Sequence, residues 1–117
     1  MTSNRKDVKI HRATAEKHLN EIKARIKTVN SDPSFCYRVI RCVVFGSYVN
    51  APEKEMLSDL DVAFKYEPKY PGDSPIMQAK MEECPSGDFA AQILWPLEEV
   101  RLYLRHGSGY VSLDRID

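Results

Sequence analysis

Over residues 59–66 the chain alternates without a break. Leu60, Val62, Phe64 and Tyr66 fall on one side, and Asp59, Asp61, Ala63 and Lys65 on the other. A period of two predicts a strand with one face on a core. It also sends both aspartates off the same face, about 7 Å apart at strand rise. Few stretches constrain a fold as tightly, because a slip of one residue would bury the acids and expose the apolar set.

Upstream, residues 35–45, FCYRVIRCVVF, are rich in β-branched and aromatic side chains and predict a second strand. Its last four residues, Cys42, Val43, Val44 and Phe45, are continuously apolar, which predicts a central strand buried on both faces. Gly46-Ser47 ends it, and residues 48–57 read as a loop with one helical turn.

The flanking segments are helical in pattern. Ala15, Leu19, Ile22, Ile26 and Val29 recur at spacings of four and three, giving one apolar face to a helix over residues 8–30. Lys17, Glu21, Lys23, Arg25 and Lys27 occupy its solvated sides, and Asn30-Ser31-Asp32-Pro33 stops it. His11 and His18 lie seven apart on that helix and read as exposed. After a loop rich in proline (residues 67–75), Ser74 and Pro75 form a capped start for a short helix over 76–83.

Residues 88–95 form another helix, which Pro96 kinks or replaces with a new one. Leu97, Val100, Tyr103 and Leu104 supply its apolar face. Trp95, Tyr103 and Tyr110 read as core. Gly107-Ser108-Gly109 ends the helix and residues 110–116 make a final strand. The order predicts an α/β (α+β) domain spanning 1–117, with a small mixed β-sheet flanked by helices.

Composition narrows the function classes. The chain has 117 residues, 43% apolar and 29% charged, with Lys+Arg and Asp+Glu both 17. That is a globular composition, and its net charge of zero offers no global pull towards nucleic acid. A local basic patch is compatible with it. Cys36, Cys42 and Cys84 are odd in number and lack CxxC spacing, which argues for free thiols in a reducing compartment rather than a disulfide frame or a zinc knuckle. No apolar run is long enough for a bilayer and no signal-peptide pattern opens the chain, so a cytoplasmic location is expected.

The chemistry-bearing residues converge on residues 43–64. Gly46 follows an apolar strand, where a missing side chain lets a ligand approach backbone closely. Ser47 adds a hydroxyl and an N–H suited to a phosphate oxygen. Asp59 and Asp61 offer oxygen donors on one face, as a hard cation such as Mg²⁺ prefers.

The pattern Gly46-Ser47, ten residues, then Ser58-Asp59-Leu60-Asp61-Val62 resembles the signature of the polymerase-beta-like nucleotidyltransferase superfamily. The short chain and leading helix are similar to its minimal nucleotidyltransferase branch. That resemblance implies the corresponding fold, with Asp59 and Asp61 as ligands of two Mg²⁺ ions. It implies Gly46 and Ser47 at the β/γ-phosphates of ATP or another nucleoside triphosphate, and transfer of a nucleotidyl group to a hydroxyl. It also implies an antitoxin role in a toxin–antitoxin pair beside a HEPN-type helical protein. A second copy of the chain and RNA are the other partners considered, RNA as an acceptor.

The sequence departs from that pattern twice. Tyr48, Val49, Asn50 and Ala51 stand where an arginine and a glycine often follow Gly-Ser, leaving Lys54 as the nearby cation. Ser112 stands where an apolar-Asp-apolar triplet would place a third carboxylate. Asp114, of the same strand parity, is its replacement as a catalytic acid. Two functions stay open: a Mg²⁺-dependent nucleotidyltransferase, and a degenerate fold that binds a partner protein or nucleotide without turnover.

Overall fold

The alternating stretch is the middle strand of a three-stranded sheet. The computed structural model describes residues 10–57, 60–105 and 111–115, with backbone only at Ser47 and 111–115. Its elements are β1 (Ile10–His11), α1 (Arg12–Ser31), β2 (Tyr37–Phe45), α2 (Ser47–Asn50), β3 (Met56–Leu57), β4 (Leu60–Pro68), α3 (Pro75–Glu82), α4 (Phe89–Arg105) and β5 (Val111–Arg115). The main sheet has the order β2-β4-β5, and β1 pairs with β3 in a two-residue ribbon. β4 runs antiparallel to β2 and parallel to β5, so the sheet is mixed.

The period-two pattern translates directly into burial. Leu60, Val62 and Phe64 are fully buried, and they meet Ala15, Leu19, Ile22 and Val29 of α1 and Val100 and Leu104 of α4 in one core. The helical periodicity of α1 is confirmed by the same residues. The helix starts later than the spacing predicts, at Arg12, because Ile10 and His11 pair with Leu57 and Met56 as β1. His11 is therefore off the helix, while His18 lies half-buried, 3.4 Å from Glu21.

β2 is a correction. It lies at the edge of the described sheet, and β4 takes the centre. The run from Cys42 to Phe45 alternates after all: Cys42 and Val44 pack against the core, while Phe45, 39% exposed, lies on the opposite face. Helices α1 and α4 pack on the face of Cys42 and Val44, and the other face of β2 lies outside that core. The unpaired edge is partly covered by Asn30. Its side-chain amide donates to Val39 O at 3.0 Å and accepts from Val39 N–H at 2.8 Å, standing in for a missing strand.

The ends of the helices are fixed by specific groups. Ser74 Oγ accepts from Met77 N–H at 3.2 Å, and Pro75 opens α3, as expected. Asp88 accepts from Ala91 N–H at 3.0 Å at the start of α4. Pro96 neither ends nor restarts that helix, which runs unbroken past it. At the other end of the core, Lys69 Nζ donates to Val29 O and Asp32 O, at 2.5 and 2.8 Å, satisfying carbonyls at the C-terminus of α1. Burial, aided by the nearby Arg38 charge, lowers the Lys69 pKa.

Between α3 and α4, the mostly buried Lys80 ion-pairs with Glu99 at 2.9 Å and Glu83 at 3.1 Å. Burial pulls its pKa down, but the hydrogen bonds to Glu99 and Glu83 more than offset this, and the net shift is upward. Among the described residues, no helix is long and apolar enough to cross a membrane.

Candidate functional site

Gly46 and Asp61 meet at one end of the sheet. β2 and β4 are in register, with Phe45 opposite Asp61, so the residue that turns out of β2 lies beside the first acid of β4. Gly46 has φ +79°, a conformation that disfavours any residue with a Cβ. A Cβ there would also overlap Asp61 Oδ2, with Asp61 Cγ 3.4 Å away. Glycine is thus required twice: by its backbone angle and by the carboxylate pressed against its bare Cα. The half-buried Asp61 sits where the missing side chain leaves room.

From Gly46 the chain enters the single helical turn α2, whose Val49 and Asn50 N–H groups donate to Gly46 O at 3.1 and 2.9 Å. The turn expected within residues 48–57 is present but starts one residue early, at Ser47, and Met56 and Leu57, read as loop, pair with β1 as β3. What holds it was not visible in the sequence. Arg12, at the first position of α1, donates from Nε to Lys54 O and from its two terminal nitrogens to Tyr48 O and Ala51 O, each at 2.8 Å. Its guanidinium also lies 4.9 Å from the centre of the Tyr48 ring. The Arg12 N–H donates to Glu55 O at 2.7 Å. One arginine therefore straps residues 48–55 to the start of α1. No local pattern marks it, because its partners lie 36 to 42 positions away.

The other expected site residues are placed as follows. Asp59 lies outside the described residues, as does the Ser47 side chain. Lys54 is exposed, and its carbonyl, rather than its ammonium, is tied in by Arg12. Ser112 pairs with Asp61, and Asp114 with Ala63, so the register puts serine beside the described acid and Asp114 two positions further along the parallel strand.

Among the described residues no group of three or more His, Cys, Asp and Glu side chains comes together to hold a metal ion. The fit to Mg²⁺ therefore rests on one carboxylate oxygen at a glycine cradle, a donor of the right hard-oxygen type. The thiols stand apart: Cys36, Cys42 and Cys84 are free, and burial raises the pKa of both Cys36 and Cys42.

A concavity of about 370 Å³ lies between the α3–α4 turn and α4, lined by Cys84, Pro85, Ala91, Leu94 and Trp95. It is apolar apart from Ser86 and Glu98 and has no acid–base or phosphate-binding pair. At the sheet end, by contrast, a glycine turn and a hard oxygen donor meet. Compared with known proteins, the chain matches no family model, no curated protein and no solved structure.

Proposed function

We propose that the chain is a Mg²⁺-dependent nucleotidyltransferase of the polymerase-beta-like type, moving a nucleotidyl group, AMP where ATP is the donor, onto a hydroxyl of a partner macromolecule. The observation that carries the reading is the contact between Asp61 and the bare Cα of Gly46. It supports a site in which an acid is fixed against the turn that would receive a triphosphate.

Asp61, with Asp59, would hold the cation, and Gly46 and Ser47 would receive the phosphates through backbone N–H and hydroxyl groups. When bound, Mg²⁺ supplies neutralisation of the triphosphate charge. Arg12 acts as a positioning residue, because it fixes the segment that follows the turn. The hydroxyl attacks the α-phosphorus, the α–β bridging oxygen leaves with pyrophosphate, and the hydroxyl proton passes to a base such as Asp114 or to water. A HEPN-type protein as partner, and with it an antitoxin role, belongs to the same reading.

The pairing of Ser112 with Asp61 favours a second reading. With serine at that register position, the chain would bind nucleotide or partner without turnover. Incubation with α-labelled ATP and Mg²⁺, with RNA or candidate partner proteins, separates the two. Label transfer that disappears in Asp61→Ala supports the enzyme. Thermal stabilisation by ATP·Mg²⁺ without transfer or pyrophosphate release supports the binder. Neither transfer nor stabilisation overturns both.

A further inference from the structure

The core uses only the second half of α4. Pro96, Val100 and Leu104 are its buried positions, while Phe89, Ala90, Ile93 and Leu94 of the first two turns are all exposed. The sequence of that first half does not suit exposure. Residues 89–97, FAAQILWPL, hold no charge and one polar side chain, Gln92. A helix apolar on every side is ordinarily covered on every side. Phe89 is 74% exposed, Leu94 63% and Ile93 48%, together roughly 400 Å² of apolar surface, the size at which a patch marks an interaction site.

The sequence offers nothing of its own to cover the patch. The stretches outside the described residues hold Met1, Val8, Tyr110 and Ile116 as their large apolar side chains, no more than two in any one stretch. A lipid surface is disfavoured as well, because residues 81–100 contain five acids and no lysine or arginine.

The position of Leu94 singles out a second copy of the chain. Leu94 protrudes, and it also forms part of the rim of the apolar concavity between α4 and the α3–α4 turn, beside Pro85, Ala91 and Trp95. A knob next to its own hole makes a patch self-complementary. A two-fold axis there sends each Leu94 into the concavity of the other copy and closes the pair, whereas a knob far from its hole would build an open chain.

Charge agrees with that arrangement. With the two α4 helices antiparallel across an axis at Leu94, Glu98 of one copy comes opposite Ala90 of the other and not opposite a second acid. The helix dipoles then run against each other, and a net charge of zero leaves no overall repulsion between copies.

We infer that the chain forms a two-fold dimer through the first half of α4, each Leu94 seated against Trp95 of the other copy. Counting the concavity walls, the pair would bury about 1,000 Å² in total, the lower limit for a specific interface, so a dissociation constant of about 10–100 µM is expected. The inference rests on α4 and not on nucleotidyl transfer. It is measured without ATP or Mg²⁺, where failure of one leaves the other standing.

Sedimentation velocity from about 1 to 500 µM protein should show monomer converting to dimer and stopping there. Trp95 is the single tryptophan, and its emission should shift to the blue over the same range. Leu94→Glu puts an acid from each copy at the axis. It should raise the dissociation constant at least about tenfold and abolish the emission shift, while Leu94→Met keeps both. Position 94 is exposed, and circular dichroism verifies that the variants fold.

The inference is overturned if the folded wild-type chain stays monomeric throughout, or if its oligomers grow beyond the dimer. It is equally overturned if Leu94→Glu dimerises with unchanged affinity, or if the monomer binds phosphatidylcholine vesicles through this patch without associating with itself.

Discussion

The two faces of β4 are built from adjacent residues and do opposite work. Leu60, Val62 and Phe64 disappear into the core, where α1 and α4 close over them. Asp61, Ala63 and Lys65, between and beside them, lie on the opposite face, the first two half-buried and Lys65 exposed. On the closed face each position answers to packing. On the open face the charged positions work against strand pairing or crowd a glycine turn. Stability should therefore be concentrated on one parity of the strand and ligand chemistry on the other, and substitutions can break that division at several levels.

The largest effect is expected at Phe64, fully buried and 6.0 Å ring to ring from Tyr66. Phe64→Ala should destabilise by about 3–5 kcal/mol through lost burial and the cavity left behind. Urea denaturation measures it. A loss under about 1 kcal/mol would mean that the closed face is not the core.

Arg12→Ala tests the link between the faces, because the strap starts beside the core and ends at the candidate site. Three carbonyls would lose a charged donor, and a cost of about 2–4 kcal/mol is expected. Hydrogen exchange should show the faster opening concentrated in residues 48–55. Arg12→Lys should recover only part, since an ammonium cannot span three carbonyls in one plane. Uniformly faster exchange, with no excess in that segment, would remove Arg12 from its positioning role.

A pH series separates the faces by a different route. Cys36 is buried, and desolvation raises its thiol above the ordinary 9.0. Above pH 9 the unfolded chain gives up that proton while the folded chain keeps it, so stability falls as pH rises, by at most about 1.4 kcal/mol per pH unit for one group. Cys42 shifts in the same direction and adds to the fall. Lys69, lowered, works the other way as pH climbs from its folded value towards 10.5. Comparing Cys36→Ala with the wild-type chain isolates the thiol. Its melting temperature should decline less steeply between pH 8.5 and 10, and parallel curves would show that Cys36 is not desolvated.

How much of this was readable beforehand follows the range of the interactions. The apolar stripe of α1, the alternation of β4 and the Ser74-Pro75 start of α3 are local periodicities or local caps, and the sequence displays them. The apolar run at Cys42 to Phe45 fits a buried centre strand or an edge strand, and only the placement of α1 and α4 on one side decides. The bulge at residues 39–41 inverts parity without any glycine or proline to announce it. Arg12 meets carbonyls that carry no side-chain identity at all. Of the candidate site, Gly46 and Asp61 were legible as residue types at a strand end, and their contact depends on the register of β2 against β4.

The smallest effect carries the sharpest contrast. Lys65 is exposed, opposite another cation, and on a strand where threonine is the better occupant by propensity. Lys65→Thr should change stability by no more than about 0.5 kcal/mol, in the stabilising direction, because a cross-strand repulsion disappears. Thermal melts at low salt should show the gain, and added salt should shrink it, since screening already weakens the repulsion in the wild-type chain. A clear loss would give Lys65 a structural role and return the open face to the logic of the closed one. A gain would mean that this lysine opposes strand pairing on a face the core does not use.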